Sequence, residues 1–411
     1  MPRPNFYVRL NLTREKNYVS GNDDKYDGIF ISANVLESFP KAFANFLYRS
    51  AKPYVIDPIT YIFGPSTLDL TDKRWWATLT QAYGLTESLG PGVSNLSSDN
   101  LLSPDGRPTQ SLSRFVASVI AYQKSRIETI AQSLAEIDSF VSGQNARTNP
   151  RPQILLAPYF MMPTAGNPWA TVNLESLRIA VEAKGNYPLY AVIFIDKSLL
   201  GFPTELERIA ERFSIPGVDG YMVWIADFRE IEAPVSLLKG FRDLVGRLSS
   251  NGKPVINMYG GLFSYLLGTN GITGVSHSLC YGESKDHLAE GGGFFVRYYH
   301  PRMRTKIPAG RIQDFLALRP HYLCSCNVCS RLTDSHRAWD SISVEEAAIH
   351  YLNKRAEELA MIDQNGSSTL IRDFQVVTEE MHSVDPTRAE DQFYSHLARW
   401  ATALSPQAAD T

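Results

Sequence analysis

Cys324-x-Cys326-x-x-Cys329 places three of the chain's four cysteines within six residues. Thiolates at these spacings can converge on one ion, because the turn Ser325 to Val328 brings the sulfurs together and a fourth ligand then closes a tetrahedral shell. That chemistry is a structural zinc site. With four protein ligands, no position stays open for a catalytic water. Three histidines compete for the fourth place. His321 and His336 are nearer in sequence, but His350 lies in the amphipathic pattern Val344–Met361, which predicts a helix rigid enough to hold an imidazole toward the loop. The remaining cysteine is Cys280, and the N-terminus shows no apolar run of the signal-peptide kind. A reducing, cytoplasmic setting is therefore expected, where clustered thiols bind metal instead of oxidising.

Further candidates sit where short apolar runs end. Asp57, Asp196 and Asp227 each close such a run. Asn257 and Tyr259, followed by Gly260-Gly261, close another, and Ser276 and His277, with Glu283 beyond, close the next. Arg297, Tyr298 and Tyr299 close the last. If the three aspartates converge on one cleft, mutual repulsion raises at least one pKa toward the range of a general acid or base. Each can equally cap a following helix, and Asp57 before Pro58 has the form of a cap or turn. A basic cluster follows: Arg297, His300, Arg302, Arg304, Lys306 and Arg311 fall within fifteen residues, interleaved with Tyr298 and Tyr299. Such a run can grip phosphates while the tyrosines stack on bases, or it can be a solvated loop. The net charge of −3 excludes attraction of nucleic acid to the protein as a whole, so such a partner needs this local patch.

These residues need elements to position them. The 411 residues are 44% hydrophobic and 20% charged, an ordinary globular balance, and no apolar stretch is long enough to span a membrane. Eight strand-like runs are read: Gly28–Ser32, Tyr54–Asp57, Ile154–Tyr159, Tyr190–Asp196, Gly220–Asp227, Val255–Tyr259, Val275–Cys280 and Gly293–Tyr299. Helical patterns separate them, which predicts an α/β chain folded as a TIM (β/α)8 barrel with its chemistry at the C-terminal strand ends. The predicted organisation is a barrel over residues 1–320 with a long loop at 65–110, a zinc knuckle and closing helix at 321–363, and a C-terminal helical extension and tail at 364–411. The loop, with Trp75 and Trp76, reads as a lid or as a plain surface excursion.

Three segments resemble the tRNA-guanine transglycosylase superfamily, which includes the queuine and archaeosine enzymes and relatives that insert 7-deazaguanine into DNA. Cys324-Ser-Cys326-Asn-Val-Cys329, with Ile349-His350-Tyr351-Leu352-Asn353 on the next helix, is similar to the family's zinc motif. Asp57-Pro-Ile-Thr-Tyr61-Ile-Phe63 is similar to its Asp-Ser-Gly-Gly-Tyr-Gln-Val-Phe segment, and Gly217-Val218-Asp219-Gly220-Tyr221 to its Gly-Phe-Asp-Gly-Tyr segment. The resemblance implies a barrel with structural zinc on Cys324, Cys326, Cys329 and His350, and acid/base work for Asp57 beside the reacting base. The implied substrate is a purine or deazapurine nucleotide of tRNA or DNA. Tyr61, Asn257, Tyr259, Gly260, Gly261, Ser276, His277, Arg297 and Tyr298 would lie around it, and Arg302, Arg304, Lys306 and Arg311 along the nucleic-acid backbone. A homodimer or a multi-subunit assembly is compatible with this.

The pattern breaks where the family has Gly-Ile-Asp-Met-Phe-Asp-Cys, whose first aspartate attacks the ribose. Here the residues are Gly274-Val275-Ser276-His277-Ser278-Leu279-Cys280. A serine hydroxyl is a poor nucleophile without a base, and His277 points to the opposite face of the same strand. Two readings follow. In one, the protein exchanges or hydrolyses an N-glycosidic bond, with Asp57 as base or nucleophile and Asp227 or Asp196 as the second carboxylate. In the other, the barrel has lost its chemistry and binds nucleic acid or a nucleobase within a modification or defence complex.

Overall fold

The computed structural model describes residues 3–50, 52–65, 69–86, 95–142, 151–280, 282–287, 296–318, 324–335, 338–387 and 391–405. Eight parallel strands close into a barrel: β1 (Asn5–Leu10), β2 (Gly28–Ser32), β3 (Tyr54–Asp57), β4 (Pro152–Leu156), β5 (Leu189–Asp196), β6 (Gly220–Ala226), β7 (Val255–Asn257) and β8 (Ile272–His277), with β8 pairing back onto β1. The strands are apolar runs because a parallel barrel buries both faces. Alternate side chains, among them Tyr7, Phe30, Val55, Ile154, Val192, Met222 and Ile256, fill the lumen, while the opposite faces join the shell of helices. The interior is thus a packed core.

Membership of the barrel differs from the sequence expectation at both ends. The first strand is Asn5–Leu10, whose buried Arg9 masks it as a core strand. The last run expected, Gly293–Tyr299, contributes β9 (Arg297–His300), which lies outside the barrel in an antiparallel pair with β10 (Thr305–Pro308). Four residues per strand and a short reversal favour local hairpin pairing over a further crossover. The first seven strand runs read from the sequence belong to the closed barrel, one position later in its order, while the eighth, with Arg297, Tyr298 and Tyr299, does not.

The principal helices are α1 (Pro40–Arg49), α2 (Gln110–Ser142), α3 (Pro168–Ala183), α4 (Pro203–Arg212), α5 (Val235–Ser249), α6 (Leu262–Leu266), α7 (Asn327–Asp334), α8 (Val344–Asn365), α9 (Ser367–Val384) and α10 (Ser395–Leu404). None among the described residues is long and apolar enough to cross a membrane. A capping box starts α8: Ser343 Oγ accepts from the Glu346 amide at 3.1 Å, and Glu346 accepts from the Ser343 amide at 2.8 Å. Gly366, at φ 71°, ends it. Tyr351 of α8 packs on His277 of β8, so this helix covers the outer face of the last strand. The C-terminal helix α10 ties down the loop after β6. Trp400 Nε1 donates to the Glu230 carbonyl at 2.9 Å, and Arg399 donates to the carbonyls of Ile231 and Ala233 at 2.5 and 3.2 Å.

Candidate metal centre and carboxylate pair

The knuckle follows β9 and β10. Cys324, Cys326, Cys329 and His350 bring their ligand atoms within 4.8 Å of one another. His350 Nδ1 lies 3.3 Å from Cys326 Sγ and 3.4 Å from Cys329 Sγ. Its Nε2 lies 2.7 Å from the Tyr299 carbonyl, which must receive a proton there and so leaves Nδ1 as the ligand atom. Tyr298 stacks on the imidazole with centroids 4.3 Å apart and places its hydroxyl 3.4 Å from Cys329 Sγ. Three soft sulfurs and one nitrogen in this closed arrangement can hold a metal ion. The alternative ligands His321 and His336 lie outside the described residues.

At the barrel axis Asp57 is fully buried. Its Oδ2 receives Arg9 Nη1 at 2.7 Å, and its Oδ1 accepts from the Tyr159 hydroxyl at 2.7 Å and from the Ile59 amide at 3.0 Å. Ile59 takes a left-handed conformation at φ 46°, so the turn after β3 is shaped around this carboxylate. Burial, with the Asp57 charge adding to it, pushes the Tyr159 phenol well above its ordinary range, which keeps it a donor. Arg9 also lies 4.3 Å from the Tyr259 ring centroid. Aromatic rings fill the mouth beside this network. Phe194 stacks on Trp224 at 3.9 Å, while Tyr61 and Tyr259 flank Trp224 at 4.8 and 4.9 Å. Lys285 closes it, with Nζ 5.2, 5.4 and 5.6 Å from the centroids of Tyr61, Trp224 and Tyr259 and 2.6 Å from the Tyr61 hydroxyl.

The other two aspartates do not join Asp57. Asp196 caps the short helix after β5, accepting from the Ser198 amide at 2.8 Å. Asp227 pairs with Lys197 at 2.6 Å and with Arg229 at 3.7 Å. Local amide and cationic partners satisfy both, so the expected three-carboxylate cleft does not form. Ser276 faces the lumen, buried, with no partner for Oγ, whereas His277 faces outward and stacks on Phe6 at 4.7 Å. Burial, then Arg355 and Lys306, hold His277 well below the ordinary imidazole range.

The basic run also turns inward. Arg302 pairs with Asp373 at 2.6 Å and Glu380 at 3.4 Å, and Arg304 with Glu358 at 2.8 Å and Asp373 at 3.4 Å. Arg311 pairs with Asp314 at 2.7 Å. Lys306 donates to the Leu279 carbonyl at 3.1 Å and sits 3.9 Å from the Tyr351 ring centroid. Glu358 on α8 and Asp373 and Glu380 on α9 draw Arg302 and Arg304 toward the protein, a placement that a charge count along the chain misses, while Arg311 stays exposed in its local pair. Tyr298 belongs to the knuckle, and Arg297 remains exposed.

A pair of carboxylates then emerges beside Gly261. Asn257, on the outer face of β7, accepts from the Tyr259 amide through Oδ1 at 3.2 Å and donates through Nδ2 to Ser264 Oγ at 2.8 Å. Ser264 donates in turn to Glu230 Oε1 at 2.5 Å, while the buried Oε2 lies against Gly261, whose amide also acts on this carboxyl. Glu283, after β8, accepts from the Tyr351 hydroxyl at 2.5 Å and from Arg355 Nη2 at 2.9 Å. A Cβ on Gly261 would stand 2.1 Å from Glu283 Oε2 and 3.0 Å from Glu230 Oε2, so only glycine lets both carboxylates approach. Burial, with Glu283 adding, pushes Glu230 up from 4.5 to about 7. Burial lowers Lys306 from 10.5 to about 8. A pocket of about 420 Å³ runs along these groups, lined by Glu230, Glu283, Ser284, Arg297, Thr305 and Lys306. Glu283 was visible beyond a strand end, but nothing in the sequence singles out Glu230. Its only signal is a cluster of acids in the loop that follows β6.

No protein-family model matches the chain, and no curated protein matches it. Among solved structures, the intracellular xylanase of Thermoanaerobacterium saccharolyticum is similar over 72% of this chain and 91% of its own, at 10% identity and a TM-score of 0.36. Complexes of two of its mutants, with xylotetraose and with xylotriose, are similar over the same shares at 10% identity and a TM-score of 0.35.

Proposed function

We propose that the chain is a zinc-braced, transglycosylase-like barrel that takes a purine nucleotide, free or in tRNA or DNA, at its C-terminal face without making a covalent glycosyl intermediate at the axis. The observation that carries this is the state of Asp57. Arg9, Tyr159 and the Ile59 amide engage both of its oxygens in a fully buried site, and Ser276 stands where the resembled family has its nucleophile. A carboxylate so engaged is poorly placed to attack a ribose carbon, since a nucleophile needs a free lone pair directed at its target. In this reading the knuckle holds zinc in a structural role, and its four ligands leave no position for substrate.

The test is incubation with tRNA, with duplex DNA and with guanosine 5′-monophosphate, each with a labelled 7-deazapurine base. The expected result is measurable binding of at least one of the three, with no incorporation of label. Incorporation would show base exchange and overturn the proposal, and so would failure to bind any of them.

A further inference from the structure

We infer that the rings of Tyr61, Trp224 and Tyr259 form a cation cage at the mouth of the barrel, which Lys285 occupies as an internal ligand and which takes the alkylammonium group of a small molecule when that side chain withdraws. The inference goes beyond the purine-nucleotide reading and does not depend on it.

Barrel closure assembles the cage. Tyr61 follows β3, Trp224 lies on β6 and Tyr259 follows β7, so no stretch of sequence joins the three rings. Trp224 meets Tyr61 at 4.8 Å with the planes inclined by 84°, and Tyr259 at 4.9 Å with the planes inclined by 50°. The inclined rings surround one point, where Lys285 Nζ stands 5.2, 5.4 and 5.6 Å from the centroids of Tyr61, Trp224 and Tyr259. Each ring is braced: Phe194 stacks on Trp224 at 3.9 Å, Tyr159 on Tyr61 at 5.9 Å, and the Arg9 guanidinium lies 4.3 Å from the Tyr259 centroid. Trp224 and Tyr259 are buried while Tyr61 and Lys285 are half-buried, so solvent reaches the cage beside the lysine.

The rings themselves meet the charge of Lys285. Its ammonium donates to the Tyr61 hydroxyl at 2.6 Å, and among the described residues no carboxylate pairs with it. Two other cations of the same rim, Lys197 and Arg229, both take carboxylates. An aromatic face attracts an ammonium through its quadrupole, and several faces around one point are the means by which proteins hold alkylated ammonium groups. The Arg9 charge beside Tyr259 is matched by Asp57 at 2.7 Å, which removes its repulsion of a second cation. Lys285 is lightly attached. Its carbonyl accepts from Trp224 Nε1 at 3.3 Å and from the Asp227 amide at 3.2 Å, and the segment 282–287 that carries it lies outside every strand and helix. The side chain can therefore withdraw without unpairing the barrel, and the space it leaves is on the C-terminal face, where barrels of this kind bind their ligands.

The experiment titrates full-length wild type and Lys285→Ala with tetramethylammonium, with choline, and with the alcohol in which carbon replaces the choline nitrogen, by calorimetry at constant ionic strength. Lys285→Ala should bind both cations about 10-fold more tightly than wild type does, and choline about 10-fold more tightly than the uncharged alcohol. Adding Tyr61→Leu to Lys285→Ala should remove that preference for charge, with melting midpoints to verify that each variant is folded. A measurement on the wild type needs no variant: tetramethylammonium should raise the labelling of Lys285 by acetic anhydride, read by mass spectrometry. Equal binding of choline and the alcohol would show an apolar hollow and overturn the cage. Equal affinity in wild type and Lys285→Ala, or unchanged labelling, would overturn the role of Lys285 as internal ligand. Failure of a folded Lys285→Ala to bind either cation overturns the inference as a whole. None of these probes carries a purine, so each of these outcomes leaves the purine reading intact.

Discussion

Arg355 holds Glu283 across 2.9 Å from the same helix, α8, that presents His350 to the three cysteines. One helix therefore serves the knuckle with one residue and the carboxylate pair with the adjacent Tyr351 and with Arg355. A helix transmits position along its axis with little loss, so the knuckle and the pocket share a single rigid support.

Loss of metal should accordingly loosen both. Cys326→Ser, or removal of the ion with a chelator, is expected to destabilise the fold by more than about 4 kcal/mol. Metal content with a denaturation series checks this, and a metal-free protein with an unchanged midpoint contradicts it.

Asp57 and Arg9 should behave as a structural unit. Arg9→Met alone leaves a buried carboxylate without its cation and is expected to cost about 3–5 kcal/mol. Replacing both, as Arg9→Met with Asp57→Leu, should recover much of that, because the uncompensated charge is then gone. Urea midpoints of the two variants decide it; a double variant as unstable as the single one would mean that the pair acts through packing.

The pH dependence of stability should show Glu230 directly. Its folded pKa is raised from 4.5 to about 7, so the native state binds more protons than the unfolded chain across that window. The group's favourable contribution is complete below 4.5 and is lost as the pH rises through about 7. The stability of wild type relative to Glu230→Gln should therefore fall by up to about 3 kcal/mol over this range. Glu283 raises this group further and Arg355 opposes it, and Lys306, in the wall of the same pocket, has the opposite sign. Its pKa drops from 10.5 to about 8, so its contribution appears as the pH rises from about 8 to 10.5. Parallel pH curves for wild type and Glu230→Gln would exclude a raised carboxyl.

The C-terminal helix should govern the pocket from outside. Trp400 is fully buried and holds the Glu230 carbonyl, so Trp400→Ala is expected to cost about 3–5 kcal/mol and to speed hydrogen exchange in residues 227–234. Exchange that rises elsewhere but not in that loop would show that α10 does not position Glu230.

Arg304→Met should lower stability, because Glu358 is buried and would lose one of its two cationic partners, keeping Arg355. A change in salt-dependent nucleic-acid binding without loss of stability would instead restore the reading of this run as a phosphate grip.

Much of this was legible in the chain before folding. Cys324, Cys326, Cys329 and His350 declare themselves by spacing and by helical pattern, because a metal site is a local turn plus one rigid helix. Apolar runs alternating with helices declare the barrel, since a parallel sheet must bury both faces of every strand. Asn5–Leu10 escaped notice because Arg9 interrupts its apolar pattern, and only closure brings Asp57 beside that arginine. Asp196 and Asp227 looked alike in sequence to Asp57, yet their partners are a nearby amide and Lys197, and neither reaches the axis. Glu230 and Glu283 are separated by two strands and two helices, so no spacing rule joins them. Their meeting over Gly261, like the inward turn of Arg302 and Arg304 onto α8 and α9, was decided only by tertiary packing, which selects partners by distance through space and not by distance along the chain.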